Sequence, residues 1–431
     1  MVHSSFTAEE QSVLACYLAQ SFTPHRLFRY IRNFTEFTKS SHSLTEATTT
    51  FSWCDLLQLS EYELKRRNLV RPNHRYEGRQ HLLTQAKIEY QTAIKHKVQI
   101  ITYASQAYPQ ILKKIPLPPL VLYCKGAMPR LDYERDHVVA IVGSRKSEAF
   151  INDFVTRFAK AIVTAGGIVV SGLALGVDGS AHLGALQGAS KQKIQSQSPP
   201  PTIAVVASGV DYIYPYANRN IYDDILKHNG CILSEYPLGT KPLGYHFPLR
   251  NRIIAGLARE VFVAQAGIKS GALITAQYAL DYGRSIYTYG VETIDPLPES
   301  YAGNLKLVKE GAHAVRLIDT FLTHTGFKHP NNALTPDHIT DPYTTPQALT
   351  NKQLSESATR PTIIPTAPNK QHDETTLTEN ILLLLKDFPA SLQELAEQLG
   401  VKPTLLTPLL MELVLDNKIH EVTPNRYMLK K

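Results

Sequence analysis

Val138-Val139-Ala140-Ile141-Val142-Gly143-Ser144-Arg145 decides the fold. An unbroken apolar run dense in β-branched residues predicts a strand buried on both faces, as in a parallel sheet covered by helices. The glycine turn behind it opens a helix whose stripe of Phe150, Phe154, Phe158 and Ile162 repeats at helical spacing. Further strands are predicted at residues 168–171, 202–207, 231–235, 261–265 and 285–289, separated by helical patterns. This alternation gives an α/β class with a doubly wound, mainly parallel sheet. Sheets of this kind bind ligands in the crevice beyond the carboxyl ends of their strands.

Outward from this core, residues 1–75 predict a small helical domain, with Val13, Leu14, Tyr17 and Leu18, then Leu27, Phe28, Ile31 and Phe34, at helical spacing. The main domain is placed at residues 76–327. It starts with a strand at 98–102 and a proline-rich extended lead-in at 115–123, since prolines suit edge or extended segments. Residues 328–375 are rich in Thr, Pro, Asn, Gln and His and predict a disordered linker. In residues 376–431, Ile381, Leu382 and Leu385 mark one helix, Ser391 caps a second and residues 403–415 form a third. A hairpin around Pro424-Asn425 follows. That order is winged-helix-like, with a helical dimerisation tail as the alternative.

A chain of 431 residues with 43% hydrophobic content is too long for one ordinary core. Its net charge of +7 favours an anionic partner only mildly. Cys16, Cys54, Cys124 and Cys231 show no metal-ligand spacing, so reduced thiols in a cytosolic protein are expected, with no metal site. The start carries Glu9 and Glu10 in place of a basic leader, and no apolar run reaches the roughly 18 residues of a membrane span. A cytoplasmic, soluble protein with no membrane association is the expectation.

The turns carry the chemistry. Gly143-Ser144-Arg145 places a glycine, a helix N-terminus and a guanidinium where a phosphate could approach. Ser171-Gly172 leads to Asp178, which reads as an N-cap, and to His182, which reads as a packed helix residue. Gly209 precedes Tyr212, Tyr214 and Tyr216, rings that either stack on bases or simply pack, and then Asn218 and Arg219. Arg250-Asn251-Arg252 supplies two guanidinium forks suited to phosphate oxygens, and Ser270-Gly271 opens another helix. A polyanion is the expected ligand.

These motifs resemble the DNA-processing protein A family (DprA, also called Smf). The resemblance rests on Ile141-Val142-Gly143-Ser144-Arg145, the Ser171 to Asp178 turn, Ala181-His182-Leu183-Gly184-Ala185-Leu186, Tyr214-Pro215 with Asn218, the Phe247 to Leu257 segment and Ser270 to Ala276. It implies an extended Rossmann-like fold with a sterile-alpha-motif-like N-terminal domain. It also implies a homodimer that binds single-stranded DNA and loads the RecA recombinase during natural transformation. Carried over, the phosphate pocket comprises Gly143, Ser144, Arg145, Ser171, Gly172, Gly209, Asn218, Arg219, Arg250, Asn251, Arg252, Ser270 and Gly271. The dimer contact falls on Leu305, Val308 and Ala314.

Where the family usually carries an acid, this chain has Gln265. The competing function is a Rossmann-like enzyme of the nucleoside monophosphate phosphoribohydrolase type. Such enzymes resemble a Pro-Gly-Gly-x-Gly-Thr-x-x-Glu motif, and the corresponding turn here, residues 267–275, lacks the acid. A non-enzymatic binding protein without cofactor is therefore expected.

Overall fold

The computed structural model describes residues 79–327 apart from 104, 130, 132–135, 190–199, 292, 293 and 295, and residues 374–430 apart from 386–389, 417, 424 and 425. The expected N-terminal helical domain and residues 328–373 of the expected linker lie outside the described residues. The described elements start with α1 (Arg79–Lys95), β1 (Val98–Thr102) and β2 (Val121–Gly126). Alternation follows: β3 (Val138–Val142), α2 (Ala149–Thr164), β4 (Ile168–Ser171), α3 (Val177–Ala189), β5 (Thr202–Val205), α4 (Arg219–Lys227) and β6 (Cys231–Ser234). It continues through α5 (His246–Leu257), β7 (Glu260–Val263), α6 (Gly271–Asp281), β8 (Ser285–Tyr289), α7 (Ala302–Lys309), β9 (His313–Val315) and α8 (Ile318–His324).

Among the described residues nine strands form one sheet in the order β1-β2-β6-β5-β4-β3-β7-β8-β9. From β6 to β9 every neighbouring pair is parallel, while β1 and β2 add an antiparallel edge. The doubly wound, mainly parallel sheet expected from the apolar runs is present. All five residues of β3 are buried, with α2 covering one face through Phe154 and Phe158 and α5 covering the other through Ile253 and Ile254. The proline-rich lead-in does more than wrap the domain: its last residues enter β2, which zips antiparallel onto β6, pairing Cys124 with Leu233.

Residues 374–430 build a second layer of structure: α9 (Glu374–Leu384), β10 (Ala390–Ser391), α10 (Leu392–Leu399), α11 (Pro403–Leu415), β11 (Ile419–Thr423) and β12 (Arg426–Leu429). Its small antiparallel sheet has the order β10-β12-β11. Ser391 caps α10 reciprocally: its Oγ accepts the Glu394 N–H at 3.2 Å and its own N–H donates to the Glu394 carboxylate at 2.7 Å. This unit packs on α5 and α6, where Tyr245, Pro248 and Leu249 meet Leu410, Met411 and Val414 around a gap of only about 10 Å³. Lys402 ion-pairs with Asp281 at the margin, at 3.3 Å.

Glu260 opens β7 at the amino end of the sheet and is 4% exposed. Burial pushes its carboxyl up to about 7, against the lowering influence of Arg259 and Arg284. The native state thus keeps a proton that the unfolded chain releases near 4.5, so this group makes stability fall as pH rises from about 4.5 to 7. Glu260→Gln should remove that slope and raise stability above pH 7 by at most about 3 kcal/mol, less what the lost Arg259 ion pair at 3.4 Å contributes, read from urea unfolding at several pH values. An unchanged pH profile would show that the carboxyl is ionised in the native protein.

Candidate nucleic-acid interface

The strand order reverses between β3 and β7, and an open cleft of about 920 Å³ lies beyond their carboxyl ends. One wall is the turn after β3, Gly143 to Lys146; the opposite wall is the turn after β7, Gly267 to Gly271; the floor is α5. Three exposed cations, Arg145, Lys146 and Lys269, face this space, with Glu299 as the exposed acid among the lining residues. The Arg145 guanidinium lies 4.9 Å from the centroid of Phe247, which packs at 5.8 Å against Tyr214. Stacking on an aromatic face leaves the edges of a guanidinium available to oxygen acceptors.

The structure sorts the expected phosphate residues into groups. Gly143, Ser144, Arg145, Asn251, Ser270 and Gly271 line the cleft together. Asn251 donates to the Gly271 carbonyl at 3.3 Å, tying α5 to the turn before α6, and the Ser270 Oγ caps α6 by accepting the Ala272 N–H. Gly172 lies in a side pocket that also touches Arg145. Ser171 is fully buried and donates to the Ile141 carbonyl at 2.6 Å, bracing β4 against β3. Asn218 is another brace, donating to the Leu173 and Ala174 carbonyls at 3.0 and 2.9 Å. Gly209 is buried beside the 237–240 turn, its N–H donating to the Thr240 carbonyl. Arg219 is exposed on α4, outside the cleft lining.

The two outer members of the Arg250-Asn251-Arg252 triplet are buried. Arg252 lies off the cleft, with its Nη2 at 2.5 Å from the Glu235 carboxylate. Burial opposes its charge, but Glu235 holds its pKa above the usual arginine value. Arg250 touches the cleft but spends Nη1 on the Gly172 carbonyl at 2.7 Å and on the Val205 carbonyl. Burial pulls its pKa down to about 10, opposed by Asp178. The Asp178 carboxyl is raised by burial and accepts the Ala174 N–H at 3.3 Å. A Cβ on Gly172 would overlap Arg250 Nη1 and come within 2.6 Å of Asp178 Oδ2, so a side chain here would push the guanidinium off its carbonyls. His182 is fully buried against the Thr202 hydroxyl at 2.8 Å, and burial takes its pKa down to about 3. It is a neutral packing residue.

Gln265 explains why the helix after Gly143 is not a bare anion site. Its Oε1 accepts the Glu148 N–H at 2.9 Å, while its Nε2 donates to the Glu148 carboxylate at 2.8 Å and to Ser300 Oγ at 3.2 Å. The Gln265 carbonyl also takes the Ser144 N–H at 2.8 Å. An acid at 265 would set a second carboxylate against Glu148 in a fully buried position. The exposed positive side chains lining the cleft are Arg145, Lys146 and Lys269. Lys146 and Lys269 were missed by sequence reasoning, although each directly adjoins a turn residue that it identified. Phe247 and Tyr214 were visible as motif members, but their contact with Arg145 and with each other depends on tertiary structure.

No helix among the described residues is long and apolar enough to cross a membrane. The profile of the DNA recombination-mediator protein A family matches residues 99–326, the span from β1 to the end of α8 that contains every cleft-lining residue. DNA processing protein DprA of Bacillus subtilis is 40% identical over 219 residues, covering 51% of this chain and 68% of that protein. Protein Smf of Synechocystis is 38% identical over 232 residues, which cover 53% of this chain and 54% of that protein. The crystal structure of DNA processing protein A from Streptococcus pneumoniae superposes with a TM-score of 0.55 at 27% identity, over 75% of this chain and 99% of that one. With the collinear turns, the switch-point cleft and more than half of its length matched, this chain belongs to the DNA recombination-mediator protein A family.

Proposed function

We propose that the cleft holds the phosphates of single-stranded DNA. In this reading the protein is a cytoplasmic mediator that protects incoming strands and loads the RecA recombinase on them during natural transformation. The observation that carries it is the convergence of Arg145, Lys146 and Lys269 on one open cleft at the strand ends, while Arg250 and Arg252 are committed to internal partners. Side-chain cations on mobile stems suit a flexible polyanion better than a single small phosphate. The enzymatic alternative is less well supported: the 267–275 turn has no acid, and Asp178 is engaged with Ala174 and neighbours Arg250.

The C-terminal elements fit a winged-helix-like accessory unit. A homodimer through the β9 edge is part of the same proposal. Leu305 and Val308 are half-buried on α7 and Ala314 is exposed on β9, the last strand of the sheet, whereas Leu307 faces the core.

The test is a salt titration of binding to a labelled single-stranded oligonucleotide. Arg145→Ala and Lys269→Ala should each weaken binding without changing the melting temperature, and each should reduce the slope of log affinity against log salt by about 0.7 for every phosphate left without its cation. Unchanged affinity and slope in both variants would refute the cleft as the strand site.

A further inference from the structure

Three tyrosines on the loop after β5 are exposed: Tyr212 at 40%, Tyr214 at 44% and Tyr216 at 68%. Large rings left in water on a floppy loop would carry little meaning, but this loop is held from several sides. The Ser208 hydroxyl donates to the Tyr212 carbonyl at 3.0 Å, and buried Tyr222 donates to the Val210 carbonyl at 2.5 Å. The Gly239 N–H donates to the Asp211 carboxylate at 2.9 Å, and buried Asn218 pins the loop to the Leu173-Ala174 turn. The rings are therefore presented on a fixed frame, with the ordering entropy of the backbone already spent in folding.

The loop is continuous with the cleft. Tyr214 lines both the cleft and the side pocket, and it packs on the same Phe247 ring that carries Arg145. Farther out, the Arg219 guanidinium lies 5.6 Å from the Tyr216 centroid and donates to its hydroxyl at 2.9 Å, with only an exposed ion pair to Asp223 at 3.7 Å for a phosphate to displace. An aromatic ring with a guanidinium over one face recurs twice along this path, once inside the cleft and once outside it. That alternation matches a single nucleic-acid strand, in which flat bases alternate with charged phosphates; a duplex hides its base faces in its own stack.

We propose that the 212–216 loop is a base-stacking platform that extends the strand path beyond the phosphate cleft, with Arg219 holding a phosphate beside the Tyr216 ring. The proposal rests on the cleft reading above. Its contribution is sequence-tolerant, because every base offers a π-face.

The experiment compares binding of a thymidine oligonucleotide with binding of an abasic oligomer of the same length and phosphate count. Tyr212→Ala/Tyr216→Ala should weaken the thymidine ligand roughly fivefold or more for each base that no longer stacks, and should leave the abasic ligand, the salt slope and the melting temperature unchanged. Arg145→Ala should weaken both ligands and lower the slope. If the tyrosine variant binds the thymidine ligand like wild type while Arg145→Ala is impaired, the platform is wrong and the cleft stands. If neither change matters, the cleft reading itself has failed. Equal weakening of both ligands in the tyrosine variant would make the rings a structural part of the loop and also overturn the platform. Wild-type protein that does not distinguish the two ligands would overturn it as well, and would leave the exposed rings to a protein partner.

Discussion

Arg250→Met is expected to lower stability by about 2–5 kcal/mol, because it leaves two buried carbonyls without their donor and each orphaned buried acceptor costs about 1–3 kcal/mol. The side chain is 4% exposed, and its Nη1 satisfies two carbonyls on adjacent strand ends, Gly172 after β4 and Val205 at the end of β5. Methionine fills much of the volume but donates to neither. Asp178, already raised by burial, would also lose the cation that opposes that shift. Asp178→Asn in the same chain should recover part of the loss, since it removes the buried carboxylate that the Arg250 charge opposes. Chemical denaturation measures both. A variant that melts like wild type yet fails to bind single-stranded DNA would show that Arg250 serves the ligand and not the fold.

Gly184→Ala should be the second severe change, with a net loss of about 2–3 kcal/mol from overpacking. A methyl group at 184 would overlap the Thr156 carbonyl oxygen and lie 2.8 Å from its carbon, so the obstacle is the backbone of α2, which cannot rotate aside. Gly188, one turn later on α3, faces the Lys160 carbonyl in the same way, and together they form the groove in which the two helices touch. Helix propensity works in the opposite direction, since alanine gains about 1 kcal/mol over glycine in a helix interior. The collision with fixed backbone outweighs it. A thermal melt at or above that of wild type would mean that the helices can separate without penalty.

The parallel core was legible because burial on both faces writes itself as an uninterrupted apolar run. Strands at 138–142, 168–171 and 285–289 have the bounds that the pattern gives, as does the antiparallel edge strand at 98–102. The pairing of β2 was not legible, because the prolines at 116, 118 and 119 mask a strand that begins only at Val121. The cleft was found through its turns, yet the arginine triplet shows the limit of reading charge without phase. Residues 250–252 sit inside α5, and positions two apart on a helix point about 200° from each other, so the two guanidinium groups cannot serve one cleft. The same periodicity would have left Asn251 between them. Ser171 and Asn218 illustrate a second limit: a polar residue in a turn can either brace carbonyls or bind a ligand, and only its partners in three dimensions separate the two uses.

The seat of residues 374–430 on α5 and α6 bears on how the chain can be divided. Cutting the chain after Phe327 would strip the covering from Tyr245, Leu249 and Tyr278, and the freed surface belongs to the helices that form the floor and one wall of the cleft. The shortened polypeptide would be a stickier solute than its parent, drawn to like surfaces on other copies. Recombinant fragments of this family member are thus better obtained by replacing the exposed patch with polar residues at the time of cutting than by simple excision.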